Sequence, residues 1–202
     1  MNKVIITSEI EQYITENLSL KRRTHCENVA IEAVKLAQAF GGDADKAYFC
    51  GMVHDIAKEL PPDQQQLLVF NSKMDVSETE KASKPLWHAI SGAQLLMERF
   101  GVTDTDVLSA VRYHTVSRAG MSRLEEIIYL ADLISADRTY SDVKRMRKIC
   151  YEGINKGMLE ALRFLICDCV KKSNSIPISS INAYDYYLSI NRRKNEQDKT
   201  KE

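Results

Sequence analysis

The chain has four histidines, and each stands where it could share a metal ion with a neighbour: His25, then His54 directly followed by Asp55, then His88 and His114, with Asp132 downstream. Imidazole and carboxylate donors in similar number suit iron, manganese, cobalt, nickel or zinc and disfavour copper(I), which prefers sulfur. A few such donors around one ion leave positions for water and a phosphate oxygen, which is a hydrolytic arrangement. Singly, each residue has an ordinary explanation: a histidine on an apolar helix face is commonly a hydrogen-bonded core residue, and an aspartate at a helix turn a cap. Asp132 resists that explanation. It lies inside IIYLADLI, where an ionised carboxylate is costly unless a cation or several donors compensate it. Asp55, within GMVHDIA, is in the same position. With no Ser-His-Asp or Cys-His nucleophile pattern and no G-x-x-x-x-G-K-[ST] loop, attack by a metal-activated water on phosphorus is the economical mechanism.

The surrounding chain must be able to carry such a site. Its 202 residues suffice for one domain with a substantial core. Lys plus Arg equal Asp plus Glu at 28 each, so no global field recruits nucleic acid or an anionic membrane, and any phosphate-binding charge must be local. No apolar run reaches the roughly eighteen residues of a membrane span, and Glu9 and Glu11 fall where a signal peptide would need its apolar centre, so a cytoplasmic protein is expected. Five cysteines without a C-x-x-C pair argue against a disulfide framework and a zinc knuckle. Cys50, one helical turn before His54, is expected as a small core residue.

Apolar residues recur at three- and four-residue steps almost throughout, and alternating patterns are nearly absent, which predicts an all-α protein. A first helix follows Thr7 and Ser8. A second starts after Ser19, carries His25 and stops at Gly41-Gly42; a third is capped at Asp43 and runs to Leu60, ahead of Pro61-Pro62. Residues 71–84 read as a loop or weak helix. A helix through Phe100 then holds His88 in its first turn, Asp104 caps the next, and Ser122 to Glu125 form a capping box that opens the helix of Asp132. Further helices are predicted over 142–151, 156–172 and 180–190. The domain is expected to span residues 1–190, with the polar tail 191–202, NRRKNEQDKTKE, disordered.

The order His25, His54-Asp55, Asp132 resembles the HD-domain superfamily of metal-dependent phosphohydrolases. The segments THCENVAIEAVKLA, GMVHDIAKELP, LWHAISGAQLLMERFG, VRYHTVSRAGMSRLEEIIYLAD and DRTYSDV further resemble its YqeK-like branch of symmetrical diadenosine tetraphosphate hydrolases. The resemblance implies a helical HD-domain bundle in which His25, His54, Asp55 and Asp132 hold an iron-type metal. It implies that His88 and His114 face the bound phosphates, where they could take a second ion, donate to a phosphoryl oxygen or protonate the leaving group. Asp55, His88, His114 and Lys58 would form the catalytic set, Lys58 reaching the phosphates. Arg22 and Arg138 would surround the nucleotide, and Ile176, Pro177 and Ile178 would meet the base. The implied ligands are a dinucleoside polyphosphate substrate and an ADP- or GDP-type product; base preference and a homodimer are left open.

The chain departs from the branch at Ala119, at Ser135-Ala136 in place of Glu-Pro, and in lacking a histidine after Pro-Ile; all bear on nucleotide specificity. Other readings are a guanosine tetraphosphate hydrolase, a deoxynucleoside triphosphatase, a cyclic dinucleotide phosphodiesterase, or a nucleotide sensor without turnover. The first would want a Glu-Asp pair after His54-Asp55 and the third a Gly-Tyr-Pro motif; neither is present.

Overall fold

Helix boundaries follow local chemistry in a computed structural model that describes residues 5–199. Thr7, Ser19 and Asp43 each accept a backbone N–H at the start of α1 (Ser8–Asn17), α2 (Leu20–Phe40) and α3 (Ala44–Val53), satisfying donors that a helix leaves unpaired. Gly41 ends α2 in the left-handed conformation, at φ 77. After α4 (Pro62–Phe70) and α5 (Glu78–Ala82), a short 3-10 turn (Lys84–Leu86) leads into α6 (Trp87–Phe100). Then come α7 (Thr105–Tyr113), α8 (Arg123–Ile134), α9 (Val143–Glu152), α10 (Ile154–Lys171) and α11 (Ile178–Lys199), with no strand among the described residues. The all-α expectation is met. No described helix is long and apolar enough to cross a membrane.

Helix α8 is the axis of the bundle, packing against α2, α3, α7, α9 and α10. Every residue from Leu124 to Ala131 is buried, because a helix covered on all sides cannot keep a polar stripe. Its capping box from Ser122 to Glu125 is formed as expected. Asp132 therefore projects from the interior at one end of this axis.

Three boundaries differ from expectation by more than a residue or two. Helix α3 stops at Val53 rather than Leu60, and residues 54–59 form tight turns, with Ile56 N–H bonded to Val53 O and Lys58 N–H to Asp55 O. Pro61-Pro62 does not merely end a helix: Pro62 opens α4, where its missing N–H costs nothing. Helix α11 continues past Ile190 to Lys199, so most of the tail expected to be disordered is helical, and residues 200–202 lie outside the described part. The Arg, Lys, Glu and Gln of that stretch are good helix formers that need no apolar face to extend an existing helix. Asn191 fastens its beginning, donating to Tyr187 O and Asn155 O.

Residues 71–84 contain α5, whose capping box is built from Ser77 and Glu80. Glu80 also pairs with the buried Arg112 of α7 at 2.7 Å, while Arg112 donates to Asp75 O, and these bonds fasten the segment to the bundle.

Candidate active site

Successive residues of an α-helix point about 100° apart, so an adjacent pair converges on one point only if the helix changes course. The turns after Val53 make that change, bringing Asp55 Oδ2 within 3.5 Å of His54 Nε2. From α2, His25 Nε2 stands 3.0 Å from Asp132 Oδ1 and 3.9 Å from Asp55 Oδ2, and Asp132 Oδ1 is 3.8 Å from His54 Nε2. The other oxygen of Asp55 faces a second pair: Oδ1 lies 3.3 Å from His88 Nε2 and 3.7 Å from His114 Nε2, and these nitrogens are 3.2 Å apart. Two groups close enough to hold an ion, His25/His54/Asp55 and Asp55/His88/His114, thus share one carboxylate.

Ring orientation suits ligation. His54 Nδ1–H donates to Gly51 O at 2.8 Å and His114 Nδ1–H to Val111 O at 2.7 Å, which leaves each Nε2 with a lone pair toward the centre. His25 Nε2, His54 Nε2 and Asp55 Oδ1 are buried without a hydrogen-bond partner. Orphaned acceptors of this kind are rare unless something else satisfies them, and converging lone pairs fit a cation.

Burial lowers His54 to about 4, partly opposed by Asp55 and Asp132. His88 is likewise held well below the usual imidazole range by burial. Burial alone would raise Asp55, yet His54, His114 and His88 hold it well below the carboxylate range. Asp132 is also lowered, burial being outweighed by His25, His54 and Arg138. Asp132 is not fully buried as the sequence suggested: its side chain is 22% exposed.

Three cationic side chains ring these donors. Arg22 Nη1 donates to Asp55 Oδ2 at 2.5 Å, and Arg138 binds Asp132 through both its carboxylate and its backbone oxygen. Lys58 Nζ lies 3.1 Å from His88 Nε2, and burial lowers its pKa. The residues expected around metal and phosphates are thus brought together: His25, His54, Asp55, Lys58, His88, His114, Asp132, Arg22 and Arg138.

The segment 176–178 is divided. Ile176 and Pro177 line a cavity of about 640 Å³ with Thr115, which adjoins His114, and with Leu86, Leu162 and Leu165. Ile178 is 65% exposed and instead borders a smaller cavity beside Arg112 and Arg118. Asp137, whose Oδ2 is 2.8 Å from His25 Nδ1, has no counterpart among the residues singled out from the sequence. The resembling segment DRTYSDV begins at this residue, but a polar residue in a polar turn breaks no pattern, so nothing in it assigned Asp137 a role.

Comparison with known proteins agrees with this geometry. Residues 22–137 match the HD domain family, a span that contains every candidate metal donor and ends before α9. The chain is similar to the symmetrical bis(5'-nucleosyl)-tetraphosphatase of Bacillus subtilis (strain 168), at 31% identity over 94% of this chain and 99% of that one. It is similar to the protein of the same name from Halalkalibacterium halodurans, at 31% identity over 88% of this chain and 94% of the relative. Among solved structures, a predicted HD superfamily hydrolase involved in NAD metabolism from Clostridium acetobutylicum superposes with a TM-score of 0.85 at 34% identity, covering 90% of this chain and 96% of that one. With the family match spanning more than half of its length and its donors all inside that span, the chain belongs to the HD domain family.

Proposed function

We propose that this chain hydrolyses diadenosine tetraphosphate and related dinucleoside polyphosphates at the central anhydride, at a centre holding a first-row metal ion, foremost iron. The observation that carries the reading is the carboxylate of Asp55 shared between two donor groups, with Arg22 on Asp55, Arg138 on Asp132 and Lys58 on His88. Relatives spanning nearly the whole chain are named for this activity.

His25, His54, Asp55 and Asp132 would hold the ion, and Asp55, His88 and His114 offer a second place for an ion or a phosphoryl oxygen. A bound ion supplies Lewis acidity at phosphorus and lowers the pKa of water. The protein's own groups do the rest. Arg22 and Arg138, now on the carboxylates, can pass to phosphate oxygens once a cation neutralises Asp55 and Asp132. Lys58, beside His88, can balance charge on the departing diphosphate. The cavity lined by Thr115, the residue after His114, has the size and mixed polarity of a nucleoside pocket, and α10, outside the matched family span, supplies one wall.

Water adds across one P–O bond of the central anhydride: its oxygen stays on one phosphorus, and the bridging oxygen leaves with the other half. Hydrolysis in ¹⁸O-water should give two ADP molecules, one of them labelled. ATP plus AMP as initial products would mean that the chain is gripped in another register.

A further inference from the structure

The site histidines are not oriented alike. His54 and His114 give their Nδ1 protons to backbone carbonyls of their own helices, Gly51 O and Val111 O, which are fixed by the fold and carry no charge. His25 lies near the start of α2, and its Nδ1 is met by the Asp137 carboxylate at 2.8 Å, across 112 positions of sequence. Asp137 sits in the turn after α8 that Arg138 N–H closes onto Ser135 O at 3.0 Å. One residue on, Arg138 grips Asp132. The turn therefore handles both donors at this edge of the site, His25 through Asp137 and Asp132 through Arg138.

We infer that Asp137 is a positioning residue that fixes His25 as a metal donor, holding its ring and keeping the proton on Nδ1 so that Nε2 faces Asp132 and Asp55. Resting on the metal-centre reading above, the inference adds a residue that contacts neither ion nor substrate. The chemistry is specific to an ionised acceptor. A carboxylate accepts and never donates, so it calls for a proton on the nitrogen it meets, and it makes the far nitrogen more basic. An asparagine in its place could turn its amide and donate to Nδ1, moving the proton to Nε2, where it blocks ligation. With its side chain one-third exposed, Asp137 can be replaced without opening the core.

The test uses metal-free full-length protein with Asp137→Asn, Asp137→Ala and Asp137→Glu, and Mn²⁺ as the probe in competition with a chromophoric chelator. Asp137→Asn should weaken Mn²⁺ binding by about 10–100-fold, the range found when an outer partner of a ligating histidine is lost. Asp137→Glu should restore most of it. Nitrogen-15 spectra of metal-free Asp137→Ala and Asp137→Asn should show His25 leaving the Nδ1-protonated form, a change that simple loosening of the turn does not produce. Parental Mn²⁺ affinity in Asp137→Asn would overturn the inference, as would equal losses in all three variants with His25 protonation unchanged. Indifference of Mn²⁺ binding to His54→Ala would instead overturn the metal-centre reading, and the two failures are thereby told apart.

Discussion

Gly51 of α3 lies against the backbone of Ala30 in α2 so closely that a Cβ on the glycine would sit 2.4 Å from the Ala30 Cα and 2.6 Å from its nitrogen. These helices carry His25 and lead into His54, and Gly51 O is also the acceptor that orients His54. Their spacing therefore sets how His25 and His54 meet at the proposed metal centre. Gly51→Ala should cost about 1–3 kcal/mol or more of stability through overpacking and should weaken metal binding, read by thermal denaturation and metal analysis. Because the clash is with backbone atoms, Ala30→Gly in the same chain should not rescue it; recovery in the double variant would place the conflict elsewhere.

Asp55 belongs to both donor groups, whereas His88 belongs to one. Asp55→Asn should abolish metal retention and activity, while His88→Ala should keep an ion at His25 and His54. Chelation of the parent should lower its Tm, since an ion at a thousand times its Kd stabilises by about 4 kcal/mol. Elemental analysis and a thermal scan decide the matter, and full metal content in purified Asp55→Asn would refute the assignment.

Lys58 and Arg138 should separate in their effects. Lys58 touches His88 and neither Asp132 nor His25, so Lys58→Ala should keep the metal and weaken ADP binding by about 1.5–3 kcal/mol. Arg138 holds Asp132, so Arg138→Ala should weaken metal and ADP together. Calorimetry with ADP, before and after metal loading, measures both; unaltered ADP affinity in Lys58→Ala would remove Lys58 from the phosphate site.

Far from the metal donors, the buried hydroxyl of Tyr187 donates to Glu126 at 2.7 Å and ties α11 to α8. Burial raises the Glu126 pKa, with Tyr187 and Arg123 opposing only in part. A carboxyl raised in the folded state favours folding below its unfolded value and loses that contribution as pH climbs through the folded value. Glu126→Gln should accordingly raise the Tm at pH 7 relative to the parent and change it little at pH 4. Tyr187→Phe, which strips the carboxylate of its buried donor, should cost about 1–3 kcal/mol at pH 7. Thermal scans across pH test both, and a Tm for Glu126→Gln below the parent's at pH 7 would contradict the linkage.

The parts legible in sequence were those that break a pattern. Asp132 interrupts an apolar helix, four histidines recur in apolar surroundings, and Ser122 to Glu125 announce a helix start; the box is formed, the histidines gather around Asp55, and Asp132 lies 3.0 Å from His25. What escaped was polar residues satisfied by distant partners. Arg112 reads as a solvated helix residue until Glu80, over thirty positions away, is seen against it, and Asp137 reads as a turn residue until His25 is placed beside it. The early stop of α3 was hidden because GMVHDIAKEL keeps a helical period through its turns.

The spread of the proposed donors along the chain also orders events during its synthesis. Donors on α2, after α3 and at the end of α8 are separated by more than a hundred residues, and the elements between them must all be made before Asp132 exists. At about 5–20 residues per second, Asp132 follows His25 by roughly 5–20 s. Through that interval a growing chain offers an ion only scattered imidazoles and Asp55. On the proposed metal-centre reading, selection of the ion is thereby deferred until α8 is made, when donor spacing rather than order of arrival decides what is kept.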